Sequence, residues 1–213
     1  GWYQLENDKL AIDEFMLEVQ SNYKQFDSHL GRIKWLIQNG YYIDLLSMYS
    51  EEFIHEALEY AYSFNFKFQS YMAVSKFYQT YALKSNDGKQ YLETYEDRVV
   101  ACALHLAQNN EDFAMELIKE MMTQRYQPAT PTFLNSGKAK GGEFISCFLL
   151  EMQDSLNSIN YNLNVASQLS KIGGGVAISL SNLRSRGEAI RDVEGCASGV
   201  VPVMKLMEDT FSY

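Results

Sequence analysis

Proline, cysteine and histidine are scarce in this chain of 213 residues, with three of each. The cysteines, Cys102, Cys147 and Cys196, are odd in number and widely spaced, without a CxxC. That excludes a secreted disulfide framework. His29, His55 and His105 fall at no zinc-ligand spacing, so no metal site is expected. No run approaches the roughly 18 apolar residues of a membrane helix, and the N-terminus lacks a signal-peptide pattern. A cytoplasmic protein without a membrane partner is expected. Basic charge is also short: 18 Lys and Arg against 27 Asp and Glu give a net charge of −9. A surface that neutralises nucleic-acid phosphates is therefore excluded, although a small basic pocket for one nucleotide is not. An initial Met is missing too, and Gly1 suggests a chain processed, tagged or cut from something longer.

What is present falls into two styles. Hydrophobic residues make up 46% of the chain, enough for a soluble core in one or two domains. Before residue 127 there is no proline, and the apolar spacing is helical. Residues 8–24 read as a helix. Asp27 can cap a second, carrying Leu30, Ile33, Leu36 and Ile37 and stopping at Asn39-Gly40. Ser50 precedes Phe53, Ile54, Ala57, Leu58 and Ala61, a third amphipathic pattern. Tyr71 to Leu83 is a fourth, closed by the turn cluster Ser85-Asn86-Asp87-Gly88. Residues 96–108 and 111–125 form a helical pair around Asn109-Asn110.

After residue 127 the style alternates. A Pro- and Gly-punctuated loop, Gln127 to Gly142, leads to the apolar run Phe144–Glu151, expected as a strand buried on both faces. Asp154 or Ser155 caps a helix to about Lys171. Gly173-Gly174-Gly175 ends it, and Val176–Leu180 is a second strand. A polar loop, Ser181 to Gly195, follows, and Ser198 opens a last helix to Ser212. This β-α-β-loop-α order is the beginning of an α/β barrel or wound sheet. The expected class is α+β, with a helical domain over 1–126 and an incomplete α/β portion over 127–213. Two strands cannot satisfy their own edges, so further strands must come from elsewhere.

Each chemically suggestive residue has a plain reading beside a functional one. Cys147 in an apolar strand could be a small buried hydrophobe. Beside Ser146 and a loop offering backbone amides, it also suits redox chemistry on a phosphorylated substrate. The triple glycine is no nucleotide fingerprint, because the order is helix, glycines, strand. A helix C-cap explains Gly173; three glycines suggest close approach to the backbone. Asp154 is most simply an N-cap. Arg184, Arg186 and Arg191 are either solvated surface or a phosphate clamp. The three histidines read as packing or surface residues.

Taken together, Gln127-Pro-Ala-Thr-Pro-Thr-Phe-Leu-Asn-Ser-Gly137, Ser146-Cys-Phe-Leu-Leu-Glu151, Asp154-Ser-Leu-Asn-Ser-Ile159, Gln168-Leu-Ser-Lys-Ile-Gly-Gly-Gly175 and Leu183-Arg-Ser-Arg-Gly-Glu-Ala-Ile-Arg191 resemble the large subunit of class Ib ribonucleotide reductase. Ala82–Lys89 and Leu92–Val100 share the likeness, which covers nearly the whole chain. The resemblance implies an all-helical N-terminal region followed by the first two strands of a ten-stranded catalytic barrel. It implies that Cys147 is one of two cysteines that reduce the ribose 2′ position of a ribonucleoside diphosphate and become a disulfide. It places Thr130, Ser146 and Gly175 with Cys147 at the substrate, and Asp154 and Arg184, with Arg191 beside them, at an allosteric deoxynucleoside triphosphate. Helices 155–171 and 198–212 match elements that pair across a large-subunit dimer.

The same resemblance implies partners: the remaining barrel as a separate chain, a second large subunit, a small radical-generating subunit that holds the metal-radical cofactor, and a thioredoxin- or glutaredoxin-like reductant. No cofactor is expected on this chain. The second redox cysteine, the thiyl-radical cysteine and the proton-moving Asn and Glu belong to later strands, so the chain alone is expected to be inactive. A split-gene product, a truncated piece of an ordinary subunit and a non-catalytic helical nucleotide-binding or assembly module are the competing readings. An ending inside the barrel favours the first.

Overall fold

A computed structural model describes residues 2–212 of the chain, which separate into two compact units, one ending at Phe144 and the other beginning at Ile145. The first unit is helical: α1 (Trp2–Ser21), α2 (His29–Gln38), α3 (Glu51–Ser63), α4 (Tyr71–Lys76), α5 (Tyr95–Ala107), α6 (Glu111–Met122) and α7 (Thr130–Asn135). Side-chain caps fix most starts. Ser28, Ser50 and Asn110 each accept from the backbone N–H three residues on, and Thr94 forms a reciprocal capping box with Asp97. The α2 cap is thus Ser28, one residue beyond the expected Asp27. The fourth expected helix is α4 followed by a π-helical turn, Phe77–Tyr81, which closes with Ala82 N–H donating to the Phe77 carbonyl (3.0 Å).

The helical core extends past residue 126. Segment 127–142, expected as a loop at the start of the next domain, contains α7 and packs on the helices. Phe133 is buried. The Ser136 carbonyl accepts from the Arg98 guanidinium. The Gly137 N–H donates to His105 Nδ1 (2.7 Å). Gly137 has φ of 78°, and a Cβ there would lie 2.9 Å from the Ala101 carbonyl oxygen, so a side chain would force the loop off α5. The change of sequence style at 127 therefore precedes the end of the compact unit.

A cluster of charges is sealed inside this unit. Arg98 Nη1 lies 2.9 Å from Glu93 Oε1, both fully buried. Glu93 also accepts from the Tyr42 hydroxyl and from the Leu83 N–H (2.8 Å). Burial pushes the Glu93 carboxyl up, but Arg98, Lys138 and the hydrogen bonds from Tyr42 and Leu83 together outweigh it and the net shift is downward. Arg32 Nη2 is 2.8 Å from Asp97 Oδ1, and Asp97 accepts from Tyr23 and Tyr62 at 3.1 Å each. Burial raises the pKa of the Tyr23, Tyr42 and Tyr62 hydroxyls, keeping them protonated as donors. Buried charges with this many partners are tolerated; stripped of one partner they are costly.

The second unit comprises β1 (Cys147–Glu151), α8 (Leu156–Lys171), β2 (Gly175–Ser179) and α9 (Val201–Phe211). The strands pair in parallel, Cys147 opposite Gly175 and Glu151 opposite Ser179. Helices first and two parallel strands after them give the α+β arrangement that the sequence suggested. The expected burial of β1 on both faces is not observed. Phe148 and Leu150 are half-buried, while Cys147, Leu149 and Glu151 are exposed. Among the described residues of this unit, α8 covers one face of the pair. Helix α9 starts at Val201 rather than at Ser198, with Pro202 in its first turn, where the missing N–H costs nothing.

Candidate functional site

Cys147 opens β1, and its neighbours come from both strands. Ser146 Oγ donates toward Cys147 Sγ at 3.7 Å. The Gly175 N–H donates to the Ser146 carbonyl at 2.8 Å. Parallel register thus brings together three of the residues singled out for the substrate: Ser146, Cys147 and Gly175. The glycines have separate reasons. A Cβ on Gly174 would sit 2.3 Å from Phe148 Cε2, so only glycine lets that ring lie against the turn. A Cβ on Gly175 would sit 3.9 Å from the Cys147 sulfur, in ordinary van der Waals contact. Gly173, with φ of 89°, takes the left-handed position after α8.

The three cysteines differ in access. Cys147 and Cys196 are exposed and Cys102 is buried, all three as free thiols. Burial raises the Cys102 thiol above its ordinary value, which keeps it protonated and a poor nucleophile. Among the described residues no group of His, Cys, Asp and Glu could hold a metal ion.

A second constellation lies at the C-terminal ends of the strands. Ser155, not Asp154, caps α8, accepting from the Ser158 N–H at 3.2 Å. Asp154 is thereby released, and its Oδ2 accepts from Arg184 Nε at 2.7 Å. Arg184 Nη1 also donates to the Ala189 carbonyl at 2.7 Å. The pair borders a cavity of about 260 Å³ whose walls include Leu156, Ile159, Ile190 and Val203. The structure brings Asp154 and Arg184 together as a direct ion pair. Arg191 is not brought to that cavity; it sits exposed in the Ile190–Val193 turn with φ of 48°. Sequence reasoning missed Asn182, whose amide donates to Glu151 Oε1 at 2.7 Å and ties the loop after β2 to the end of β1. An Asn three residues after a strand gives no such signal.

Thr130 belongs to the first unit, at the start of α7, where it shares a hydrogen bond with the Tyr81 hydroxyl (3.1 Å). Lys138 reaches the same residue from the other end of the segment, donating to the Tyr81 carbonyl at 3.0 Å. Burial lowers the Lys138 ammonium to about 8, against the opposing pull of Glu93.

Three family models match in sequence: "Ribonucleotide reductase N-terminal" over residues 1–66, "Ribonucleotide reductase, all-alpha domain" over 67–141, and "Ribonucleotide reductase, barrel domain" over 145–213. The barrel match begins at residue 145, as does the second compact unit. The chain is 47% identical over its whole length to the ribonucleoside-diphosphate reductase NrdEB subunit alpha of Bacillus subtilis, of which it covers 20%. It is 46% identical to a second ribonucleoside-diphosphate reductase subunit alpha of that organism, covering 31% of it. It is also 47% identical over 97% of its length to the subunit alpha of Mycoplasma genitalium, covering 29%. The chain belongs to the ribonucleotide reductase large-subunit family. It spans between about a fifth and a third of the curated relatives it matches.

Proposed function

We propose that the chain is the N-terminal part of the catalytic subunit of a ribonucleoside-diphosphate reductase. Cys147 supplies one of two thiols that reduce the ribose 2′ carbon. Two electrons and two protons leave the thiols, the 2′ hydroxyl departs as water, a C2′–H bond forms and the sulfurs join as a disulfide. The partner cysteine, the radical-bearing cysteine and the proton-moving residues are expected outside these 213 residues. The observation that carries the reading is the exposed thiol of Cys147 opposite Gly175, with Ser146 beside it. Buried Cys102 has no such access, and Cys196 lies in the loop after β2 rather than on a strand. Thr130 is proposed from the resemblance as a contact to the ribonucleotide's diphosphate. A metal-radical cofactor belongs in a small partner subunit, and a redoxin regenerates the thiols.

Asp154 and Arg184 form the proposed effector site. A carboxylate there accepts a hydrogen bond from a deoxyribose hydroxyl, and a guanidinium forks onto phosphate oxygens. Arg191 remains a weaker participant, reachable only if the 181–195 loop rearranges around a ligand. The exposed apolar residues of α8 and α9, Leu156, Tyr161, Val201 and Met204, suit pairing with a second large subunit. The decisive measurement is turnover by the assembled enzyme with Cys147→Ser, where a hydroxyl replaces the thiol but cannot form a disulfide. Multiple turnover is lost and folding is kept, while Cys102→Ser and Cys196→Ser retain turnover. Equal loss in Cys102→Ser at equal stability would overturn the assignment.

A further inference from the structure

We propose that Tyr81 is a positioning residue for the ribonucleotide, acting through Thr130. The inference rests on the reading of Thr130 as a contact to the diphosphate. The geometry is local to the helical unit. Both ends of the segment that carries Thr130 are tied to this one tyrosine. The Tyr81 hydroxyl shares a 3.1 Å hydrogen bond with Thr130 Oγ1. The Tyr81 carbonyl accepts from Lys138 Nζ at 3.0 Å. Between these anchors the Tyr81 ring packs against Phe133, the buried residue of α7, with centroids 5.5 Å apart.

The backbone of Tyr81 explains why it can do this. It is the last residue of the π-helical turn Phe77–Tyr81, so its carbonyl has no continuing helix to serve and is left for Lys138. Single π turns inside helices are uncommon and frequently mark functional positions. The segment's other attachments lie away from Thr130, at Ser136, Gly137 and Ala139: besides the bonds to Arg98 and His105, Ile43 N–H donates to the Gly137 carbonyl at 3.0 Å, and Ala139 N–H donates to the Tyr41 carbonyl at 2.9 Å. Thr130 itself is exposed and starts a helix of six residues. A threonine hydroxyl rotates freely unless a partner fixes it, and the partner here is the Tyr81 hydroxyl. Tyr81 touches neither the substrate nor the reacting atoms in this scheme. Its effect is to hold one rotamer of Thr130 ready, so its loss falls on binding rather than on chemistry.

The test uses the full-length large subunit containing this chain, assembled with its small subunit and reductant, and cytidine diphosphate as substrate. Tyr81→Phe keeps the ring against Phe133 and removes only the hydroxyl. It is expected to raise KM about fivefold, the scale of one neutral hydrogen bond, with kcat within about twofold. Thr130→Ala raises KM at least as much, and the double variant is no worse than Thr130→Ala alone, because Tyr81 works only through that side chain. If Thr130→Ala raises KM and Tyr81→Phe leaves it unchanged, Tyr81 merely packs and the proposal fails while the substrate role of Thr130 stands. If the effects of the two variants add, Tyr81 acts independently and the proposal fails. If Thr130→Ala itself leaves KM unchanged, the substrate reading falls and takes this inference with it.

Discussion

In the helical unit Leu36, Ile54, Leu58, Leu92 and Leu104 are wholly shielded from solvent, and so are the charges of Arg98 and Glu93. In the unit that follows, Leu149 is 83% exposed and Val201 69%, and α9 buries none of its side chains. The two units carry comparable apolar patterning, yet only one encloses it. Seven helices can surround a core and hide even charged groups in it. Two parallel strands and two helices present faces and edges that need further partners. The same contrast governs ion pairs. Those of Arg98 and Arg32 are sealed and structural; that of Arg184 and Asp154 is about one-third exposed beside a cavity. Burial thus separates charges that hold the fold from charges open to a ligand.

The sharpest way to break this contrast is to remove one buried charge. Arg98→Met leaves Glu93 sealed without its ion-pair partner, with the Tyr42 and Leu83 donors and the pull of the Lys138 ammonium remaining, and frees the Ser136 carbonyl. The expected cost is about 3–5 kcal/mol, the usual penalty for stranding a buried partner, read from the urea unfolding midpoint of the chain. A loss below about 1 kcal/mol would mean that the cluster is hydrated and the contrast false. Next in size is Lys138. Its folded pKa of about 8 lies below the ordinary 10.5, so the unfolded chain holds more protons between those values. Stability from this group therefore rises as pH climbs from about 8 to about 10.5, by about 3 kcal/mol at most. Lys138→Met removes that rise. The difference between wild type and variant across the window isolates it, because the tyrosines titrate alike in both. His105 shows a similar sign on a smaller scale. Burial lowers its pKa, so as pH falls below the ordinary value of about 6.5 the unfolded chain takes up the proton first and stability from this group is lost, until the folded imidazole itself protonates and gives up the Gly137 hydrogen bond. In His105→Gln this acid-side loss is absent from the unfolding free energy measured between pH 5 and 7.

Much of this was legible in the sequence. Helix starts followed Ser and Asn because short polar side chains satisfy the first free N–H groups, and Ser28 replaced Asp27 by a single position. The β-α-β order was legible because the apolar runs and glycines have different periods. The substrate and effector residues came from motif resemblance, and the structure brings Ser146, Cys147 and Gly175 together in register. What escaped was set by tertiary packing. Nothing local in the sequence marks Arg32, Glu93, Asp97 and Arg98 for burial; it depends on partners up to 74 positions away, such as Tyr23 for Asp97. Nothing local marks the π turn at Phe77–Tyr81, nor the folding of α7 onto α5 through Gly137 and His105. Phe144–Glu151 read as buried because apolar composition reports the environment a strand is made for, and α8 supplies only one side of it.

The smallest stability effect is expected at the proposed effector site. Asp154 and Arg184 meet at 2.7 Å with both side chains about one-third exposed. Water screens such a pair, and ordering two side chains offsets much of the attraction, so its net worth is between about 0 and 1 kcal/mol. Asp154 does not cap α8, since Ser155 does, so removing its charge takes no cap from the helix. Asp154→Asn keeps the side-chain shape and an acceptor oxygen and should shift the urea midpoint of the chain only slightly. If Asp154 also orients an effector, the same substitution weakens deoxynucleoside triphosphate binding to the assembled enzyme about tenfold or more, the scale of one charge-assisted hydrogen bond. Arg184 is then left without its charged partner, facing the ligand's phosphates unrestrained, so part of the lost affinity returns at low salt. Isothermal titration at two salt concentrations, run beside the unfolding measurement, separates the outcomes. Unchanged affinity together with a large stability loss would make the pair a structural one like that of Arg98 and Glu93, and the distinction between the two units would not extend to their charges.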